Sequence, residues 1–301
     1  MSDSRETNSA PRRIVGTKRF REAMPQPIST RIFTVANQKG GVGKTTSAVN
    51  IGAALAMGGL RTLIIDLDPQ GNASTAFGIS RDEVNGMYEV ITKDLPMVDA
   101  ALKVPGYPHL QVIPATQSLA NAEVELVPMV ARELRLKKAL THYLSEAAQR
   151  GERFDYVIID CPPSLGLLTI NALVAADELL IPIQCEYYSL EGLTLLLHTV
   201  SLIQEHLNPN IKLSTIVLTM FDGRTRLAND VADEVRKHYP EQLIDIPIPR
   251  AVRVSEAPSY GQTVMTYDPS SNGAEAYGLV AREIARRGAP SLTSITEVGV
   301  G

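Results

Sequence analysis

An α/β fold, with a mainly parallel central sheet covered by helices on both faces, is predicted from three features of this 301-residue sequence. Seven short runs rich in Val, Ile and Leu recur along the chain. Segments with apolar residues at helical spacing separate several of them. The first run leads straight into a glycine-rich loop and an Ala-rich stretch. Continuous apolar strands alternating with helices are the pattern of a parallel sheet buried on both sides.

Residues 1–30 carry six Arg/Lys, three Asp/Glu and three prolines with no periodicity, and are expected to form a flexible, mildly basic tail. The strand runs then follow at 32–37, 62–67, 110–114, 156–160, 178–183, 213–219 and 243–246. Leu140, Tyr143, Leu144 and Ala147 mark one helix. Leu190, Leu193, Leu197, Val200, Ile203 and Leu207 mark a second within 186–207, and Leu227, Val231 and Val235 a third. A last helix is expected at 271–287, stopped by Gly288, Ala289 and Pro290. Residues 31–290 read as one domain, and 291–301 as a frayed C-terminal tail.

The composition, 44% hydrophobic and 21% charged, excludes collagen-like, disulfide-dense and wholly disordered chains. Cys161 and Cys185 form no C-x-x-C pair, and the five histidines form no H-E-x-x-H. A reduced, cytoplasmic protein is the simplest expectation. No apolar run reaches the roughly 18 residues of a membrane span, and the first residues lack the apolar core of a secretory signal. A net charge of −4 opposes nucleic-acid binding by the whole surface, so such binding would need a local patch.

Chemistry concentrates in Lys39-Gly40-Gly41-Val42-Gly43-Lys44-Thr45-Thr46, between the first strand and the Ala-rich helix. This is the arrangement of a P-loop NTPase. The glycines let successive backbone N–H groups converge on anionic oxygens, and the helix N-terminus adds partial positive charge. Lys44 would neutralise β/γ-phosphate charge and the Thr45 hydroxyl would ligate Mg²⁺.

Two acidic sites follow at strand ends, where open α/β sheets bind ligands. In Asp66-Leu67-Asp68-Pro69-Gln70-Gly71-Asn72, the two carboxylates share a face if the strand continues. One would then assist Mg²⁺ hydration and the other orient water. Asp160, closing the 156–160 run, takes the Walker B position for holding Mg²⁺. Cys161 reads as a small buried residue. No N/T-K-x-D guanine reader occurs, which favours ATP.

The extra lysine at the loop's start, Lys39 in K-G-G-x-G-K-T, resembles the deviant Walker A signature of the ParA/MinD ATPase superfamily. The resemblance spans about residues 31–288 and implies that Lys39 reaches across a nucleotide sandwich homodimer to the partner's ATP. It likewise implies that Asp68 positions the hydrolytic water, and that Met220 and Pro249 approach adenine through the backbone. The segment Pro249-Arg250-Ala251 has Ala where relatives often have Asn. Thr219–Thr225 and Pro249–Ser259 resemble chromosomal ParA (Soj) proteins. That resemblance implies non-specific DNA binding by Arg224 and Arg253 in the ATP-bound dimer, nucleoid association, and hydrolysis stimulated by a ParB-type centromere-binding protein. Composition alone gives no such hint, because residues 211–260 hold seven Lys/Arg and seven Asp/Glu. A MinD-like membrane-positioning ATPase is the alternative. It needs a basic amphipathic C-terminal helix, and no Lys or Arg follows Arg287. An iron-protein-like electron-transfer ATPase is a third class, which the cysteine spacing does not suit.

Overall fold

The computed structural model describes residues 18–82, 84–186 and 189–290. Its centre is an eight-stranded sheet in the order β3-β4-β2-β5-β1-β6-β7-β8. The strands are β1 (Arg31–Val35), β2 (Thr62–Asp66), β3 (Leu102–Lys103), β4 (Leu110–Ile113), β5 (Tyr156–Asp160), β6 (Glu178–Gln184), β7 (Lys212–Thr219) and β8 (Leu243–Ile244). All pairings are parallel except β3 with β4. The seven expected strands are therefore present. The additional β3 is a two-residue antiparallel edge, too short to leave a pattern in the sequence.

Helices cover both faces: α1 (Lys44–Met57), α2 (Asn72–Ala76), α3 (Met87–Lys93), α4 (Ala122–Leu126), α5 (Arg135–Gln149) and α6 (Leu167–Ala175). They continue with α7 (Ser189–His206), α8 (Arg226–His238), α9 (Val252–Glu256), α10 (Val264–Tyr267) and α11 (Asn272–Gly288). Successive side chains of a strand go to opposite faces, so each strand feeds two cores. In β5, Tyr156 and Ile158 join α1 and α11, whereas Val157 and Ile159 join α5 and α6. Beyond β1, the second core continues through β6 and β7 under α7 and α8.

The expected last helix begins one residue later than 271, at Asn272, because Ser271 caps it, its Oγ accepting from the Ala274 N–H at 3.3 Å. Gly288 is its final residue and not a stop beyond it. Arg31 ties this helix to the sheet. It forms a two-pronged ion pair with Glu178 of β6 and donates to the Ile284 carbonyl at 2.8 Å.

The packed body starts earlier than residue 31. Phe20 and Met24 are buried, Phe20 against Gly278 and Met24 against Gly58, and the Met24 N–H bonds the Gly58 carbonyl at 3.0 Å. This corrects the tail expectation for 18–30. Residues 1–17 and 291–301 lie outside the described residues.

Candidate functional site

β1 sits between β5 and β6; the chain passes from β1 to β2 on one side and later crosses from β5 past β1 to β6 on the other. Adjacent crossovers of opposite sense open a crevice at the strands' carboxyl ends. The loop at 37–43 fills that crevice. Asn37 anchors its entrance, donating to the Pro182 carbonyl at 2.9 Å and accepting from the Lys39 N–H at 3.0 Å. Thr219 anchors its exit by donating to the Val42 carbonyl at 2.8 Å. Gly41 and Gly43 adopt φ of 75° and 86°, a left-handed conformation that costs a side-chain-bearing residue energy. Gly43 is also the N-cap of α1, so its curl aims the helix's free N–H groups into the crevice.

The cleft holds about 420 Å³ and is lined by Gly40, Gly41, Gly43, Lys44, Thr45 and Thr46 on the loop side. Asp68 and Met220 face it from the neighbouring strand ends. The structure thus brings together eight residues that the sequence singled out across 180 positions. Val42 contributes only backbone, since its side chain is buried in the protein. Pro249 is not on the wall; it pairs with Phe221, beside Met220.

Lys44 is buried, and its Nζ rests 3.3 Å from the Lys39 carbonyl. Burial draws its ammonium below the ordinary lysine value, and the charges of Asp160 and Asp68 pull the other way. Asp160 is fully buried, and neither of its oxygens has a hydrogen-bond partner among the described residues. Burial, and then the charge of Asp66, raise its pKa well above the carboxylate range; the nearby Thr45 hydroxyl opposes the shift. A buried carboxylate without a partner is expensive. A hard cation beside Thr45 would resolve that cost, and Mg²⁺ suits a site with one or two protein oxygens plus phosphate. Among the described residues no group of three His, Cys, Asp or Glu forms a self-sufficient metal cage.

Asp66 and Asp68 part company. Asp66 pairs in register with Asp160 across β2 and β5, but its Oδ2 accepts from the Ser74 N–H and hydroxyl at 2.8 and 2.6 Å. Its Oδ1 accepts from the Asp68 N–H at 3.3 Å. The strand ends at Asp66, so the shared face expected of the two carboxylates does not form. Asp66 fastens the turn leading into α2, while Asp68 looks into the cleft with Oδ1 capping the Gln70 N–H at 2.9 Å. Burial raises Asp66 to about 6.

Lys39 does not line the cleft. Its Nζ contacts Glu186 Oε2 at 2.6 Å. Arg224 and Arg253, expected as phosphate forks, are both engaged by carboxylates. Arg224 grips Asp222 with two bonds of 2.8 and 2.7 Å, which depress the Asp222 pKa to about 2. Arg253 reaches Glu256 at 3.0 Å and lies over the Tyr267 ring. Both side chains are exposed.

Several wall residues escaped sequence reading: Gln70, Asn72, Pro163, Ala257, Pro258 and Gln262. Gln70 and Asn72 sit inside the quoted D-x-D-P-Q-G-N stretch, which signalled them without giving a role. Cys161 is buried and its thiol pushed well up by burial, as a packing residue would be.

Residues 30–213 match a family model described as an AAA domain. The chain is 51% identical over 259 residues to the Sporulation initiation inhibitor protein Soj of Bacillus subtilis (strain 168), covering 86% of this chain and 99% of that protein. It is 49% identical over 261 residues to the Chromosome partitioning protein ParA of Myxococcus xanthus (strain DK1622), covering 86% and 89%. Among solved structures, the cobyrinic acid a,c-diamide synthase from Mycobacterium smegmatis with bound ADP and magnesium gives a TM-score of 0.72 at 37% identity, over 86% of this chain and 95% of that one. The Pyrococcus furiosus cell division ATPase MinD gives 0.68 at 23% identity over 85% and 99%, a likeness of fold.

Proposed function

The chain belongs to the ParA/Soj family of chromosome-partitioning ATPases, and we propose that it is an ATP-switched DNA-partition protein. The observation that carries the nucleotide chemistry is the unpartnered, buried Asp160 beside Lys44 and Thr45 under the glycine loop. The loop N–H groups and the start of α1 would cradle the phosphates, and Lys44 would offset their charge. Thr45 and Asp160 would hold Mg²⁺, which neutralises charge between the β- and γ-phosphates when bound. Met220 lines the far wall, where the base would lie. Asp68, already fixed by its bond to the Gln70 N–H, would orient the attacking water.

Lys39 would leave Glu186 and cross to a second copy's nucleotide, closing a sandwich homodimer. A cation delivered in trans to developing charge accelerates phosphoryl transfer. ATP binding then favours the closed dimer through differential affinity, the requirement of any population switch. Arg224 and Arg253 would exchange their carboxylates for DNA phosphates, and dimerisation doubles the patch they form. A ParB-type partner would trigger hydrolysis and release, giving a cytoplasmic, nucleoid-associated cycle.

Among the described residues no helix is long and apolar enough to cross a membrane. Co-sedimentation with DNA under ATP, ADP or no nucleotide, with lipid vesicles in parallel, tests the proposal. Pelleting with DNA only under ATP is expected. Equal pelleting in all three states overturns the switch, and ATP-dependent pelleting with vesicles alone favours the MinD-like alternative.

A further inference from the structure

We propose that Arg81 is a positioning residue for ATP hydrolysis: its guanidinium clamps the turn at 68–71 from outside, so that the Asp68 carboxylate is held towards the cleft. The clamp rests on the reading of Asp68 as the group that orients the attacking water.

Arg81 follows α2 in the chain and folds back over the turn that precedes that helix. Its Nη2 donates to the Pro69 carbonyl at 2.5 Å and its Nη1 to the Gln70 carbonyl at 2.6 Å. Its Nε donates to the Ala115 carbonyl at 2.9 Å, and Nη2 also reaches the Thr116 carbonyl at 3.5 Å. Among the described residues these bonds all end on main-chain carbonyls. The seat fits the group closely: a Cβ on Gly71, whose φ is 65°, would collide with the guanidinium. A planar fork with N–H groups in several fixed directions can serve two separate loops at once, which an ammonium on a flexible stem cannot.

What the fork holds leads directly to Asp68. A peptide group is planar and trans, so its C=O and the next residue's N–H leave opposite edges of one rigid plate. The plate between Pro69 and Gln70 has its carbonyl on Arg81 and its N–H on Asp68 Oδ1 at 2.9 Å. The plate between Gln70 and Gly71 has its carbonyl on Arg81 and its N–H on the Asp68 carbonyl at 2.8 Å. Both plates are therefore gripped by the guanidinium at one edge and by Asp68 at the other. The cation also polarises each plate, which strengthens the N–H donors that face Asp68.

The far side of the clamp is anchored. Ala115 and Thr116 are buried just past β4, and the Ala115 N–H bonds Ser74 Oγ at 3.1 Å, the same hydroxyl that binds Asp66. Arg81 thus ties a turn on the cleft wall to the end of a buried strand. Loosening that turn misplaces Asp68 without touching the loop proposed to cradle the phosphates, so the rate should suffer and nucleotide binding should not.

The test measures phosphate release and ATP-dependent dimerisation of the full-length protein with ATP and Mg²⁺. Arg81→Ala should lower kcat by about tenfold to a hundredfold, with KM for ATP and the half-saturating ATP concentration for dimerisation within about twofold of the wild type. Arg81→Lys keeps the charge without the fork and should stay within about threefold of Arg81→Ala. Adding Arg81→Ala to Asp68→Ala should change the rate by less than about twofold, because the two residues act as one unit. That comparison is made under single turnover with radiolabelled ATP, where slow hydrolysis stays measurable. An unchanged kcat in Arg81→Ala overturns the proposal, and so does full activity of Arg81→Lys. A loss shared by KM or dimerisation, as a merely structural tie would give, overturns it too. So does an Arg81→Ala loss as large beside Asp68→Ala as in the wild type. Undiminished turnover in Asp68→Ala alone sinks the role given to Asp68, whereas lowered turnover there beside an unaltered Arg81→Ala sinks only the clamp.

Discussion

Lys39 Nζ lies 2.6 Å from Glu186 Oε2, and the other oxygen of that carboxylate accepts from Gln184 Nε2 at 2.5 Å. The ammonium proposed to cross between subunits is thus held within one subunit. An ion pair this exposed is worth about 0–1 kcal/mol, enough to bias a switch without locking it. Glu186→Gln should lower the ATP concentration that half-saturates dimerisation by up to about fivefold. Lys39→Ala should keep nucleotide binding and lose the dimer. Sedimentation velocity across an ATP titration reads both, and a dimer undiminished in Lys39→Ala would remove the lysine from the interface.

Lys44→Ala should weaken ATP binding by roughly ten- to a hundredfold, the worth of one charged hydrogen-bonding partner. The variant also removes the cation nearest Asp160. Calorimetric titration with a non-hydrolysable analogue is the measurement, and unchanged affinity contradicts the loop assignment.

Asp68→Ala should retain ATP-dependent dimers while turnover falls by about 10²–10⁴-fold, the usual contribution of a positioned acid–base group. Phosphate release measured beside light scattering separates the two effects. Undiminished hydrolysis would strip Asp68 of its role.

Asp222→Asn should free the Arg224 fork, which Asp222 now occupies with both oxygens. DNA binding should tighten, and the salt dependence should steepen by about 0.9 for each added phosphate contact. Arg224→Glu should do the reverse and leave dimerisation intact. Anisotropy with a duplex at several salt concentrations decides. An unaltered slope in both variants would place the DNA contacts elsewhere.

Asp66 gives a pH signature in stability. Burial raises its folded pKa to about 6 from an ordinary 3.8. Between those values the native state binds more protons than the unfolded chain. Its contribution is fully present below pH 3.8 and is lost as pH rises through 6. Asp66→Asn cannot titrate, so it should gain stability relative to the wild type from pH 4 to pH 7, by at most about 3 kcal/mol. Parallel thermal melts across that range check the trend; a constant Tm difference would show that Asp66 does not titrate there.

The phosphate loop was legible because its chemistry is contiguous. Residues 37–46 carry the glycines, the cations and the hydroxyl on one turn of chain, and the backbone geometry that turn needs excludes most other sequences. The strands were legible because burial on both faces leaves unbroken Val/Ile/Leu runs. The short helices α2, α4, α9 and α10 were not, since four or five residues are too few to establish a helical period. Phe20 and Met24 escaped notice for a related reason: two apolar residues in a polar stretch have no periodicity, and only Gly278 and Gly58 reveal their pockets.

By itself the sequence determined the parallel α/β architecture, the phosphate-binding loop and the family. Tertiary structure alone decided how the charged groups are spent. It set Asp66 on Ser74 and left Asp160 without a partner, although both end buried strands in the same register. It placed Glu186 against Lys39 from 147 positions away. A local pattern records backbone preference and burial, which act over a few residues. An ion pair or a buried carboxylate depends on which strands become neighbours, and that follows only when the whole sheet has formed.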